Sequence, residues 1–157
     1  EIEVTLEAAM KMGYKRVWAV HQPFTYSRTS RLLDDFARVL QIADKCVVSE
    51  IMGSREVNTI GIKATDLSSK IPGCIQIDKL KDIADYLAEN CKEGDLVITL
   101  GCGDVYKVSR MLVEKLKKKK QQPNKKLKEP QTNCGSFFMQ ISKYLLLKPL
   151  LLNLFST

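Results

Sequence analysis

Apolar residues follow two alternating patterns along the first three quarters of the chain. Ile2, Leu6, Ala9 and Met10 recur every three to four positions, and Gly13 stands where a helix commonly ends in a glycine. The continuous run Val17, Trp18, Ala19, Val20 predicts a first strand over about 16–20. Helical spacing returns at Leu32, Leu33, Phe36 and Leu40. It predicts a helix over about 30–42, with Thr29 or Ser30 able to accept the orphan amide protons at its start. A second strand is expected at 46–50 and a short helix capped by Thr65 before Pro72. The brief apolar "CIQI" at 74–77 predicts a third strand. Asp78 then caps a helix carrying Leu80, Ile83, Ala84 and Leu87 that ends near Cys91. "DLVITL" at 95–100 is the fourth strand, and Val105, Val108, Met111 and Leu112 line a last helix.

Strands that are apolar throughout, alternating with amphipathic helices, predict an α/β fold: a Rossmann-like, mostly parallel sheet flanked by helices on both faces. In such sheets ligands bind beyond the carboxyl ends of the strands. Those ends carry the polar segments "HQPFTYSRT", "EIMGSRE" and "GCGD". The first is unusual for a strand-to-helix connection, with Pro23, two aromatics, several hydroxyls and Arg28.

The pattern changes after Leu116, and charge changes with it. Up to that residue there are 16 Lys and Arg against 17 Asp and Glu; beyond it there are 9 against 1, so the net +7 belongs to the tail. The chain therefore divides into an expected domain over 1–116 and a Lys-rich, then Leu-rich tail over 117–157 that is disordered or not authentic. Three readings of the tail stand: a solvated linker with an adventitious hydrophobic end, a peripheral surface helix broken by Pro149, or the product of a reading-frame slip in an adenine-rich Lys tract. The Lys run has few interleaved aromatics, so nucleic acid is not the expected partner. No apolar run is long enough for a spanning helix. Five cysteines, without a CxxC pair or a histidine at metal-ligand spacing, predict free thiols in a reducing cytoplasm and no metal site. The chain opens on a helical pattern without Met or a signal sequence, and reads as a piece of a longer protein.

Arg28 is the leading chemical candidate, since a guanidinium at a strand end can grip a carboxylate or phosphate through two parallel hydrogen bonds; the alternative is a surface ion pair with Asp34 or Asp35. Tyr26 and Phe24 either wall a pocket or pack under the loop. His21, the sole histidine, has no carboxylate or nucleophile beside it in sequence. Glu50 and Glu56 flank "IMGSR", where each can orient an amine or metal or stay a solvated loop carboxylate. "GCGD" is either a tight turn or an anion-facing helix start. Tyr106 at the third glycine position breaks the dinucleotide fingerprint, and no G-x-x-x-x-G-K-[ST] loop occurs.

In order, "EIEVTLEAA", "HQPFTYSRTSRLLDDFARVLQIADKCVVSEI", "GSRE", "TDL" and "GDLVITLGCGDVYKV" resemble the C-terminal domain of the Mur ligases over about residues 1–116. The family's Q-P-H-x-[YF]-[ST]-R-T segment is matched at Gln22, Pro23, Tyr26, Ser27, Arg28 and Thr29. Its G-[AC]-G-D-[IV] segment is matched at Gly101, Cys102, Gly103, Asp104 and Val105. Phe24 stands where the family usually has His, His21 where it has an apolar residue, and Thr25 where some members carry Arg. The resemblance is greatest to the branch that joins L-alanine to UDP-N-acetylmuramate. It implies ATP and Mg2+, bound mainly by N-terminal and central domains that lie outside this chain, and an acyl phosphate attacked by the amine of L-alanine. It also implies Arg28 as catalytic, and Thr25, Tyr26, Ser27, Arg28, Thr29, Glu50, Gly103 and Asp104 as substrate-binding. The fragment alone is expected to be inactive. Two rivals remain: the branch that attaches a recycled peptide to the same sugar nucleotide, and a nonenzymatic Rossmann-like binding module.

Overall fold

A computed structural model describes residues 1–121, with side chains to residue 119; the expectations for the rest of the tail lie outside the described residues. Four parallel strands form one sheet in the order β3-β2-β1-β4: β1 (Arg16–His21), β2 (Lys45–Val48), β3 (Ile75–Gln76) and β4 (Asp95–Leu100). The helices are α1 (Ile2–Met10), α2 (Tyr26–Arg31), α3 (Leu33–Leu40), α4 (Ala64–Ser68), α5 (Leu80–Asn90) and α6 (Tyr106–Gln121). The α/β architecture is the expected one, and each strand lies within two residues of its expected span.

Side chains of β1 alternate between two cores. Val17 and Ala19 pack with Leu6, Ala37, Leu40 and Leu67 on the side of α1, α3 and α4. Trp18 and Val20 pack with Ile83, Leu87, Val108 and Leu112 on the side of α5 and α6. Burial on both faces explains why β1 reads as an unbroken apolar run rather than an alternating one. β1 is one of two inner strands, paired with β2 on one side and β4 on the other.

The helix ends depart from expectation. The helix expected over 30–42 begins four residues earlier and is split at Leu32 (φ −109°, ψ 21°) into α2 and α3. Neither Thr29 nor Ser30 caps it: Thr25 is the N-cap, and the Thr29 hydroxyl donates back to the Thr25 carbonyl at 2.7 Å. For α4 the N-cap is Lys63, whose amide donates to the Asp66 carboxylate at 2.8 Å, and for α5 it is Lys79. Asp78 instead accepts from the Gln76 side chain. Helix α6 continues past Leu116 through the Lys run to Gln121.

The amino-terminal end of the β1–β4 seam is closed by a buried carboxylate. Asp95 accepts from Arg16 Nε (3.0 Å) and Nη2 (2.6 Å), Trp18 Nε1 (3.0 Å) and the Lys92 amide (2.9 Å). Burial alone would raise its pKa, but these donors, Arg16 foremost, hold it below the ordinary aspartate value. The Arg16 guanidinium also lies 5.5 Å from the centre of the Trp18 ring.

Candidate functional site

The chain leaves β1 toward β2 and β3 on one side and returns with β4 on the other. Its switch point is therefore the seam between the carboxyl ends of β1 and β4, where open α/β sheets hold ligands. The three segments singled out in the sequence all meet there. Backbone bonds extend the sheet past its strands: Thr25 donates to the Met52 carbonyl, and Met52 to the Pro23 carbonyl, both at 2.9 Å, while Phe24 bridges Met52 in parallel. Across the seam the Gln22 amide donates to Leu100 O (3.0 Å), and the Gln22 Oε1 accepts from the Val105 amide at 3.1 Å. The "GCGD" loop is thus packed on Gln22 and Met52. A Cβ at Gly103 would run into Met52 Sδ and lie 2.8 Å from Gln22 Oε1, so a larger residue there would have to displace the Met52 and Gln22 side chains. The loop is a tight turn whose Val105 amide is already occupied, and Asp104 pairs with Lys107 at 2.9 Å.

The turn carrying Arg28 is fixed from below and beside. Thr25 adopts φ 64°, ψ 143°, a region that β-branched residues avoid, at a cost of about 1–3 kcal/mol. The surrounding bonds over-determine it: its amide is held by Met52, and its carbonyl accepts from both the Thr29 amide (3.2 Å) and the Thr29 hydroxyl. Thr29 is fully buried. Tyr26 packs under the loop rather than walling an open pocket. A Cβ at Gly53 would come within 2.5 Å of its ring, so the bare glycine backbone is what admits the aromatic.

Glu56 completes the clamp. Its carboxylate accepts from the Ser27 hydroxyl at 2.5 Å and the Ser27 amide at 2.9 Å, at the first turn of α2 where amide protons lack helical partners. The Ser27 hydroxyl bond, then the Ser27 amide, with a smaller part from Arg28, hold the Glu56 pKa below the ordinary glutamate value. Of the two carboxylates flanking "IMGSR", Glu56 therefore engages the Arg28 turn. Glu50 is exposed in the same loop, its amide donating to Asp78 O at 3.4 Å.

Arg28 is exposed, and among the described residues no hydrogen bond or ion pair ties down its guanidinium. The surface pairing with Asp34 or Asp35 is not formed: Asp34 binds Lys70 at 2.9 Å, and Asp35 lies in the field of Arg38. The result is a cation free to meet a ligand on a backbone that is not free to move.

His21 is buried within the seam. Its Nδ1 donates to Leu100 O at 3.1 Å, its ring lies 5.2 Å from that of Phe36, and among the described residues its Nε2 has no partner. Burial drives its pKa down to about 4, so the ring is neutral at pH 7. It takes the place of a core residue, not of an exposed acid or base. One carrier of this geometry, the Glu56–Ser27 contact, was not singled out in the sequence, where only the i to i+3 side of capping is visible. Among the described residues no group of three or more His, Cys, Asp or Glu side chains can hold a metal ion, and the Mg2+ of the resembled family is assigned to no residue here.

Comparison with known proteins agrees with the family resemblance. No protein-family model matches the chain. UDP-N-acetylmuramate--L-alanine ligase of Lachnospira eligens is 47% identical over 118 residues, covering 73% of this chain and 26% of the ligase. The ligases of the same name from Clostridium botulinum strain Loch Maree and Acetivibrio thermocellus are each 41% identical over 72% and 73% of the chain. The matched region belongs to the Mur ligase family. The chain spans about a quarter of the length of these relatives, so within the family it corresponds to a fragment. No helix among the described residues is long and apolar enough to cross a membrane.

Proposed function

We propose that residues 1–116 are the C-terminal, amino-acid-binding domain of a cytoplasmic, ATP-dependent ligase that joins L-alanine to UDP-N-acetylmuramate in peptidoglycan synthesis. The reading rests on the relatives' shared name and on one feature of the site: an unpaired Arg28 on an immobilised turn at the switch point of the sheet. In the proposed reaction ATP, with Mg2+, phosphorylates the muramoyl carboxylate, and the amine of L-alanine attacks the acyl phosphate. The nucleotide, the metal and the sugar nucleotide are assigned to parts of the ligase other than this domain, which alone is inactive.

This chain's share of the work is placement and charge. Arg28 offers a forked donor set to the carboxylate of the amino acid or to phosphoryl oxygens, whose negative charge it neutralises. Thr25 and Thr29 fix the turn, Glu56 and Ser27 hold the first turn of α2, and Tyr26 supports it from beneath. Rigid presentation matters because misplacing a reacting group by about 1 Å can cost about 100-fold in rate. Glu50, Gly103 and Asp104 line the same end of the sheet; Gly103 acts there by letting the "GCGD" loop close on Gln22. The test is Arg28→Ala in the intact ligase. A fall in turnover, or a rise in the KM for L-alanine, of at least about 100-fold is expected. Wild-type kinetics would remove Arg28 from the mechanism.

A further inference from the structure

At the opposite end of the sheet two thiols meet. The β2–β3 ladder pairs Val47 with Ile75 and Val48 with Gln76, so one step back Cys46 stands beside Cys74. Neighbouring strands run about 4.8 Å apart, inside the Cα separation that a disulfide spans. Both residues face the core that contains Val48, Leu67 and Ile71. Cys46 is buried and Cys74 is half-buried. Interaction between the two thiols raises the Cys46 pKa and lowers that of Cys74, whose Sγ donates to the Ile75 carbonyl at 3.8 Å. Beside them lies an open concavity of about 280 Å³ lined by Asp44, Lys45, Cys46, Ile71, Pro72 and Gly73. Cys74 immediately precedes the two-residue edge strand β3, which is paired on one side only, by β2.

We propose that Cys46 and Cys74 form a cross-strand dithiol that closes reversibly to a disulfide by exchange with a low-molecular-weight disulfide. Cys74, the more accessible and more readily ionised thiol, attacks one sulfur of the disulfide reagent and releases the other half as a thiol. Cys46 then loses its proton and displaces the second half, leaving the protein disulfide. Two protein thiols and one reagent disulfide become one protein disulfide and two reagent thiols. The other described cysteines lack such a neighbour: Cys91 is buried enough that its pKa is pushed up to about 12, and Cys102 is exposed alone on its turn. The pairing is independent of the ligase assignment, because it needs only the β2–β3 register.

Trypsin separates the pair cleanly, since Lys45 and Arg55 bound a peptide over 46–55, and Lys70 and Lys79 bound one over 71–79, each with a single cysteine. The folded chain is incubated with glutathione disulfide, alkylated and digested without reduction. The proposal predicts that 46–55 is recovered joined to 71–79, at least about tenfold over any other cysteine pairing, as expected for a preoriented pair. Recovery of the two peptides unlinked, or linked chiefly to Cys91, Cys102 or Cys134, overturns it. The order of attack is read in two variants: Cys46→Ser should hold glutathione on Cys74 as a stable mixed disulfide, whereas Cys74→Ser should leave Cys46 unmodified. The reverse pattern refutes Cys74 as the entry point, and the wild-type map decides the pairing even where a variant does not fold.

Discussion

The two ends of the β1–β4 seam are built on opposite principles. At the amino-terminal end a buried charge is well satisfied: Asp95 accepts four hydrogen bonds, two of them from a guanidinium that lies over the Trp18 ring. At the carboxyl end the guanidinium of Arg28 is exposed and unpaired, and the backbone beneath it is strained at Thr25. A satisfied network holds a fold together, and an unsatisfied cation on an over-determined turn is suited to meeting a ligand. On the proposed reading, the same arginine fork serves stability at one end of a strand pair and recognition at the other. The difference lies in whether the protein supplies the partner.

This contrast can be broken at either end, and the largest effect is expected at the closed one. Asp95→Ala leaves the Trp18 indole and the Lys92 amide without acceptors and Arg16 without its counter-ion. It should cost about 3 kcal/mol of stability in urea denaturation. A loss under about 1 kcal/mol would show that the network adds little.

His21 gives a pH-dependent effect of similar size. Its folded pKa of about 4 lies below the ordinary value of 6.5, so between these values the unfolded chain binds the proton that the folded chain refuses. The stability gained from the neutral buried ring is complete above pH 6.5 and is lost as pH falls toward 4, a drop of about 3 kcal/mol. His21→Phe should flatten this part of the profile. Parallel profiles for the two proteins would mean that His21 protonates in place without penalty.

At the open end, Arg28→Ala is expected to lower ligase activity at least about 100-fold. Glu56→Gln should act more weakly, by roughly tenfold, because the amide still accepts from Ser27 but loses the charge that anchors the α2 terminus and faces Arg28. Glu56 positions Arg28 and does not carry the cation itself, so Glu56→Gln combined with Arg28→Lys should cost less than the product of the two single effects. Strict multiplication would show that the two residues act separately.

The sheet and its helices were legible because burial imposes a period. The run Val17 to Val20 can sit only in a strand covered on both faces, and Leu80, Ile83, Ala84 and Leu87 can share one face only on a helix. The site loops were legible as interruptions of that pattern. Helix starts were not, because the groups that satisfy them come from afar: Glu56 reaches Ser27 from 29 residues away. The break at Leu32 leaves no composition signal, since Tyr26, Thr29, Leu33, Phe36 and Leu40 keep helical spacing across it. His21 read as candidate chemistry because sequence shows a titratable ring but not the burial and the Leu100 carbonyl that keep it neutral.

The central claim is that Arg28 is spared by folding for a ligand, and one paired measurement tests it: the denaturation midpoint and the steady-state kinetics of Arg28→Ala in the intact ligase. The account predicts an unchanged midpoint together with a loss of at least about 100-fold in turnover or in apparent affinity for L-alanine. Unchanged kinetics, or a loss of activity matched by a loss of stability, would contradict it.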